Sequence, residues 1–144
     1  MKVKLINHSS NPSPKYTTDM AAGADLYANN EEPIRLKPLE RSMVPTGIHI
    51  ELPTGYEAQV RPRSGLAVKH GITIVNTPGT IDADYRGEIK VVLVNLSNKD
   101  FIVYPGERIA QMVINKFEKV EWEQVEVLSE TKRGEGGFGS TGIK

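Results

Sequence analysis

The sequence predicts an all-β protein of the sandwich or barrel type, because short alternating segments are separated by turns along its 144 residues. In GIHIELP, Ile48, Ile50 and Leu52 fall on one side and His49 and Glu51 on the other, which is the period of a half-buried strand. Turn-forming stretches recur about every ten residues, a spacing typical of β-sandwiches and barrels.

Three further segments predict strands. YEAQVRP alternates Tyr56, Ala58 and Val60 with polar residues, as a half-buried strand does. EIKVVLVNL is rich in β-branched residues and more continuously apolar, which favours a strand covered on both faces, and DFIVYP is another candidate. The turns between strands are predicted at residues 53–55, 77–79, 97–100 and 105–106.

One short helix is predicted at RSGLAVKHG. Ser64 suits the N-cap and Gly71 suits the position after the last helical residue. The backbone N–H groups at such a helix start favour anions, although a plain capped helix is the commoner case.

The stretch 107–133 is ambiguous because it contains neither Gly nor Pro. The apolar residues of ERIAQMVINKF lie near helical spacing, whereas the pairs Val120/Trp122 and Val125/Val127 alternate. The alternation favours strands for this stretch.

Composition excludes several classes of protein. The 18 basic residues balance the 18 acidic residues, which argues against stable binding to nucleic acids or membranes. The chain has no cysteine, so disulfides and thiolate metal sites are excluded. Its first ten residues, MKVKLINHSS, lack the apolar run of a signal peptide, and we therefore expect a cytoplasmic protein.

Four polar clusters fall between or at the ends of the predicted strands: AAGADLYA, RPRSGLA, NTPGTIDADYRGE and PGERIAQM. Taken singly, Asp25 in the first suits a turn, and Gln111 in the fourth is unremarkable. In the second, Arg61, Arg63 and Ser64 form a group of donors at a helix start, suited to phosphate oxygens; a pair of solvated surface charges is the alternative.

The third cluster is a predicted hairpin that carries Asp82 at its tip and Asn76 at its entry. An acid in this place can hold a base beside a substrate, and an amide can pair with a nucleobase edge. An ordinary charged hairpin is the alternative, although Ile81 and Tyr85 together are unusual in an exposed hairpin.

The glycine-rich stretch KRGEGGFGST near the C-terminus combines flexibility with groups suited to phosphate and one aromatic ring, Phe138. Glycine at this density does not hold a fixed backbone by itself. A linker or frayed tail is the common reading of such an end.

In order and spacing, AGADLYA, PRSGLA, NTPGTIDADYRGE, GERIAQM and RGEGGFGSTG resemble the five motifs of the trimeric dUTP diphosphatases (dUTPases), over about residues 2–143. The resemblance implies a jelly-roll β-domain at 1–131 that forms homotrimers with active sites between subunits. It also implies that residues 132–144 are a flexible arm that closes over a site. The implied reaction is the Mg²⁺-assisted hydrolysis of dUTP to dUMP and pyrophosphate, which keeps uracil out of DNA and supplies dUMP for thymidylate synthesis.

The resemblance also implies roles for individual residues. Asp82 resembles the base that activates water for attack on the α-phosphate, and Asp25 and Gln111 resemble groups that hold Mg²⁺ through water. The residues implied to bind substrate are Arg63, Ser64, Gly65, Asn76, Gly79, Ile81, Tyr85, Gln111, Arg133, Phe138, Gly139, Ser140 and Thr141. Among these, Tyr85 is expected under the deoxyribose, Asn76 at the uracil edge, and Phe138 stacked on the base.

Two other functions compete with dUTP hydrolysis. A dCTP deaminase on the same fold needs a base near C4 of cytosine; the Asp at the hairpin tip and the complete glycine-rich arm favour hydrolysis instead. A non-enzymatic binding module or nucleotide-sensing regulator is the second alternative, and the complete set of motifs argues against it.

Overall fold

The computed structural model describes residues 1–137, which form ten β-strands and one α-helix. The strands are β1 (Lys4–Asn7), β2 (Ala24–Tyr27), β3 (Ile34–Leu36), β4 (Arg41–Glu51), β5 (Tyr56–Arg61), β6 (Ile72–Ile74), β7 (Gly79–Ile81), β8 (Ile89–Asn95), β9 (Phe101–Val103) and β10 (Arg108–Lys116). Helix α1 (Ser64–His70) connects β5 to β6. The predicted all-β class with one short helix is confirmed. Within residues 1–137, no helix has the length and apolar character that a membrane span requires.

All strand pairs are antiparallel and form three sheets. The first sheet has the order β1-β4-β8-β6, the second β2-β10-β5-β7, and β3 pairs with β9 in the third. Side chains from all three sheets meet in one buried cluster, to which Val44, Leu26 and Leu36 belong. The core therefore lies between the sheets, as in a sandwich.

The period of two predicted for β4 is confirmed. Ile48 and Ile50 are 3% and 5% exposed, and Leu52 just after the strand is 5% exposed. His49 and Glu51, on the opposite side, are only partly buried. One face of β4 therefore packs into the core.

The prediction that both faces of β8 are covered is wrong for the single chain. Alternate residues from Ile89 to Asn95 are buried, but Lys90 is exposed and Val92 and Val94 are only half-buried. Met43 lies opposite Val92 on β4 and is 58% exposed. The outer face of the first sheet, which carries Lys90 beside apolar residues, is thus only partly covered by the described chain.

The strands predicted beyond Lys116 are also wrong for the single chain. No strand is formed by residues 117–137, and the side chains of Trp122 and Val127 are 92% and 83% exposed. A strand needs a neighbouring strand for its backbone hydrogen bonds, and within the described residues this segment pairs with none.

Helix α1 differs from the prediction at its start. The N-cap is Arg63, in extended conformation with no capping side chain, and Ser64 is the first helical residue. At the other end, Gly71 has a φ of 65° and its N–H bonds to the carbonyl oxygens of Ala67 and Leu66, so the predicted glycine C-cap is confirmed.

Candidate active site

Strands β2, β10 and β5 bring Asp25, Gln111 and Arg61 into one row. Gln111 on the central strand lies opposite Asp25 on one side and Arg61 on the other. Directly opposite residues of a sheet present their side chains on the same face. Residues from three of the predicted polar clusters therefore meet at one place on the second sheet.

Asp25 is the anionic centre of this row. Arg63 Nε lies 3.0 Å from its Oδ1, and Arg108 Nη1 lies 3.1 Å from its Oδ2. The Asp25 side chain is only 14% exposed, so solvent screens these ion pairs less than it screens surface pairs. Because Asp25 lies within β2, the turn interpretation of this residue is wrong.

Arg108 belongs to this cluster although only Gln111 is predicted from GERIAQM. The two residues are three positions apart, so strict alternation along a strand would place them on opposite faces. The pairing of β10 with β2 shifts between Arg108 and Ala110, and such a bulge adds one residue to the strand. A bulge is not visible in the alternation pattern, which explains why the sequence does not identify Arg108.

The start of helix α1 lies beside this row. The first backbone bond of the helix runs from Ala67 N to Arg63 O at 3.1 Å, so the N–H groups of Ser64 and Gly65 precede the intrahelical ladder. A Cβ atom built on Gly65 would meet no heavy atom within 4 Å. The helix start and the row line one cleft of about 530 Å³, which we call the phosphate cleft.

The charges of the phosphate cleft favour an anion. Arg61, Arg63 and Arg108 line it together with one carboxylate, Asp25. Guanidinium groups match phosphate oxygens in geometry as well as charge. A polyphosphate is therefore the type of ligand that this cleft fits.

A magnesium ion also fits the donors of the phosphate cleft. Gln111 Nε2 donates to Pro62 O at 3.0 Å, and the carboxylate of Asp25 and the amide oxygen of Gln111 are hard donors of the type that Mg²⁺ prefers. In the part of the chain that the structure describes, no group of three or more His, Cys, Asp or Glu side chains could hold a metal ion. An ion here would depend mainly on water and on the phosphates of a ligand.

The hairpin predicted for the third cluster is wrong, because β7 pairs with β5 whereas β8 pairs with β4 and β6 in another sheet. Residues 82–88 instead form a tight turn between the two sheets, which we call the catalytic turn. Asp82 is exposed, and Tyr85 N bonds to Asp82 O at 3.1 Å. Tyr85 Oη donates to Glu88 O at 3.0 Å, and a Cβ atom on Gly87 would be 2.2 Å from this hydroxyl. The ring of Tyr85 therefore lies directly on the backbone of Gly87, which holds its orientation.

A cleft of about 280 Å³ adjoins the catalytic turn and is lined by Ile81, Asp82 and Tyr85 among others; we call it the nucleoside cleft. Asn76 lies near the start of β7, where a Cβ atom on Gly79 would be 3.4 Å from Asn76 Nδ2. The absence of a side chain at position 79 thus leaves room for the Asn76 amide.

A wider groove of about 780 Å³ lies on the other side of Asp82 and includes Glu51, Phe117 and Lys119. Because Phe117 and Lys119 follow directly on β10, the chain leaves the β-domain beside the catalytic turn.

Glu51 in this groove forms an ion pair. The ammonium group of Lys4 donates a hydrogen bond to Glu51 at 2.8 Å, and this bond together with the charge of Lys4 lowers the pKa of the Glu51 carboxyl.

The two clefts are separate within one chain. Among the described residues, none lines both the phosphate cleft and the nucleoside cleft. Asp25, Arg63, Ser64, Gly65 and Gln111 are brought together in the first, and Ile81, Asp82 and Tyr85 in the second, with Asn76 and Gly79 nearby. The predicted site residues of one protomer therefore fall into two groups that line different clefts.

Only the beginning of the arm is described. Arg133 is exposed, and its Nε donates to Gly136 O at 2.8 Å across a turn. The predicted site residues Phe138, Gly139, Ser140 and Thr141 lie outside the described residues.

Comparison with known proteins identifies the family. A model of the dUTPase family matches residues 9–142. The chain is 59% identical over 142 residues to a deoxyuridine 5'-triphosphate nucleotidohydrolase of Finegoldia magna, with 99% of both chains covered. Its identity to the same enzyme of Rickettsia akari is 57% over 143 residues, covering 99% of this chain and 97% of the relative.

A solved structure shares the fold. The dUTPase of Staphylococcus bacteriophage 80alpha, determined with dUpNHpp, has a TM-score of 0.89 at 27% identity, and the match covers 99% of both chains. Family model, relatives and fold agree over almost the whole length of the sequence. The chain belongs to the dUTPase family, and its reaction is the hydrolysis of dUTP.

Proposed function

We propose that Asp82 activates a water molecule for attack on the α-phosphorus of dUTP, with dUMP and pyrophosphate as products. The observation that supports this assignment is the contrast between two aspartates. Both carboxylate oxygens of Asp25 are paired with arginines, whereas the Asp82 side chain is exposed and its carboxylate accepts no hydrogen bond from residues 1–137. Its carboxylate can therefore accept the proton of a bound water.

An aspartate needs more than basicity for this role. The ordinary pKa of the side chain is about 3.9, which makes it a weak base near neutral pH. Its contribution must come largely from orienting the water in line with phosphorus. The short turn between Asp82 and Tyr85 is suited to this, because it fixes the base next to the ring against which we place the sugar.

The phosphate cleft binds the triphosphate. Arg63, the Ser64 hydroxyl and the Gly65 N–H donate to phosphate oxygens, while Asp25 and Gln111 would hold a Mg²⁺ ion through water. Such an ion would neutralise part of the charge of the phosphates. The positive excess of the cleft supports this assignment.

The nucleoside cleft binds the base and sugar. Tyr85 packs under the deoxyribose and Ile81 forms an apolar wall beside it. Asn76, with both a donor and an acceptor, pairs with the uracil edge, and Gly79 leaves the space that this pairing needs.

We further propose a homotrimer in which different subunits contribute the two clefts to one site. Three features support this. The clefts are separate in one chain, the outer face of the first sheet is only partly covered, and residues 117–128 are exposed and form no strand. The arm of a neighbouring chain then closes the site, with Phe138 on uracil and Arg133, Gly139, Ser140 and Thr141 at the phosphates.

Product analysis in H₂¹⁸O tests this function. The enzyme is incubated with dUTP or dCTP and Mg²⁺, and pyrophosphate, ammonia and the position of ¹⁸O are measured. Attack on the α-phosphorus gives pyrophosphate from dUTP with ¹⁸O in dUMP. Label in pyrophosphate would contradict the site of attack, and ammonia from dCTP would favour the deaminase.

The wider role follows from the products. Removing dUTP keeps uracil out of DNA, and the dUMP formed supplies thymidylate synthesis. The cytoplasmic location stays a prediction from the sequence.

A further inference from the structure

Strand β4 contains a bulge close to the catalytic turn. The pairing of β4 with β8 shifts between Pro45 and Ile48, so Thr46 and Gly47 have no partner residue on β8. Gly47 has a φ of +69°, and Thr46 is only 1% exposed. Backbone N–H groups in such a buried position need hydrogen-bond acceptors from outside the regular ladder.

The side chain of Glu88 supplies this acceptor. Its Oε1 accepts from Gly47 N at 2.8 Å and from Thr46 N at 3.2 Å. The Thr46 hydroxyl donates to Ile89 O at 2.6 Å and accepts from Ile48 N at 3.2 Å. One carboxylate oxygen thus completes the hydrogen bonding of the bulge.

Glu88 is also part of the catalytic turn. Its carbonyl oxygen accepts from Tyr85 Oη at 3.0 Å, and it lines the nucleoside cleft with Asp82 and Tyr85. The side chain therefore ties the end of the turn to β4, while its backbone holds the tyrosine ring. The bonds that Tyr85 N and the Arg86 side chain donate run to Asp82, Ala83 and Tyr85, within the turn itself. A second, exposed link to β4 joins Arg86 O to His49 Nδ1 at 3.1 Å.

From these contacts we propose that Glu88 is a positioning residue for hydrolysis: its carboxylate fixes the catalytic turn, and so the place of Asp82, against the bulge of β4. This inference rests on the proposed role of Asp82. The property of Glu88 that matters is Oε1 as an acceptor, since the two N–H groups bonded to this atom are neutral. The other oxygen, Oε2, lies 3.7 Å from Lys90 Nζ, and a partly exposed ion pair of this length contributes little, so the role rests on the acceptor rather than on the charge.

The test compares Glu88→Ala, Glu88→Met and Glu88→Gln in the full-length enzyme. Gln keeps an acceptor oxygen and should retain kcat within a few-fold of the unsubstituted enzyme. Ala and Met remove the acceptor, and a small displacement of the base should lower kcat by about 10- to 100-fold. The KM for dUTP should change less, because the phosphates bind in a separate cleft.

Two further variants separate positioning from stability. Glu40 Oε2 also accepts a backbone bond, from Lys37 N at 2.8 Å, in a turn away from the site. Glu40→Ala should lower Tm without lowering kcat. In the double variant Asp82→Asn/Glu88→Ala, loss of Glu88 should cost little beyond Asp82→Asn, because Glu88 acts through Asp82.

The outcomes are distinguishable. Normal kcat in Glu88→Ala, or equal losses in the Gln and Ala variants, would overturn the positioning role. Loss of the folded state in both the Ala and Met variants would assign Glu88 to stability instead and also overturn it. Normal kcat in Asp82→Asn alone would refute the proposed base. The positioning role of Glu88 would then be decided by whether Glu88→Gln keeps the kcat that Glu88→Ala loses.

Discussion

The amide oxygen of Gln111 lies over Gly23, because a Cβ atom built on Gly23 would be only 2.3 Å from Gln111 Oε1. A residue with a side chain at position 23 would displace the end of the Gln111 side chain from the phosphate cleft. The obstructing group is the flexible end of a side chain, so the fold should tolerate the change.

Gly23→Ala should therefore reduce activity while leaving Tm nearly unchanged. We expect a loss of about 10- to 100-fold in kcat/KM, the usual cost of disturbing groups around a metal. The control is Gln111→Ala, in whose background Gly23→Ala should cause little further loss. A fully additive loss, or a large fall in Tm, would contradict this explanation.

Asp82→Asn should retain dUTP binding and lose most turnover. Asparagine is nearly isosteric but does not take the proton from water, and general-base catalysis typically contributes about 10²- to 10⁴-fold. Asp84→Asn is the matched control on the same turn and should leave kcat almost unchanged. A rate within a few-fold of normal in Asp82→Asn would show that the base is another group.

Tyr85 should discriminate against ribonucleotides. A ring packed under the sugar leaves a 2′-hydroxyl without a partner, and burying an unpaired hydroxyl costs about 1–3 kcal/mol. UTP should have a much lower kcat/KM than dUTP, and Tyr85→Ala should narrow the difference. Tyr85→Phe keeps the ring and should preserve the difference in kcat/KM between dUTP and UTP. Equal kcat/KM for the two nucleotides in the unsubstituted enzyme would refute the assignment.

Light scattering should give three times the 15.9 kDa mass of the chain. Mixed trimers of an Asp82→Asn chain and a chain that ends at residue 131 should recover activity, because some sites would combine an intact Asp82 with an intact arm. Trimers of either chain alone are the controls. A monomeric mass, or verified mixed trimers without recovery, would contradict the shared site.

Deleting residues 132–144 should lower kcat/KM without unfolding the β-domain, since residues 132–137 contribute nothing to the buried core. Phe138→Ala should cost less than the deletion, because the phosphate ligands remain. Stacking of an aromatic side chain on a base is worth about 1–3 kcal/mol. Phe138→Trp should keep the stack, and the fluorescence of the new tryptophan should change when a dUTP analogue binds, with Trp122 as background. A deletion variant with near-normal kcat/KM would identify residues 132–144 as a tail without a role in catalysis.

Local patterns predict the strands of this fold well where burial alternates. In β4 the period of two in the sequence matches the buried residues Ile48 and Ile50. The same reasoning fails for β8, because β-branched residues such as Val92 suit any apolar surface, whether it is covered within the chain or by another copy.

The site is less predictable because its geometry depends on long-range pairing. Asp25 and Gln111 meet only through the register of β2 and β10, and Arg108 joins them only because of a bulge. The N-cap likewise falls on Arg63 rather than Ser64, a shift of one residue that propensity does not resolve. Motif resemblance supplied the site residues that alternation alone leaves open.

The exposed segment 117–128, FEKVEWEQVEVL, has a consequence for aggregation. Its exposed apolar side chains and high β-propensity are those of a sequence that stacks into cross-β fibrils. However, it carries four glutamates and one lysine, so two copies of the segment side by side would place like charges together, which destabilises strand pairing. The four glutamates therefore disfavour stacking of identical segments in newly made chains. They do not prevent the apolar side chains from packing against a surface that lacks the same negative charges.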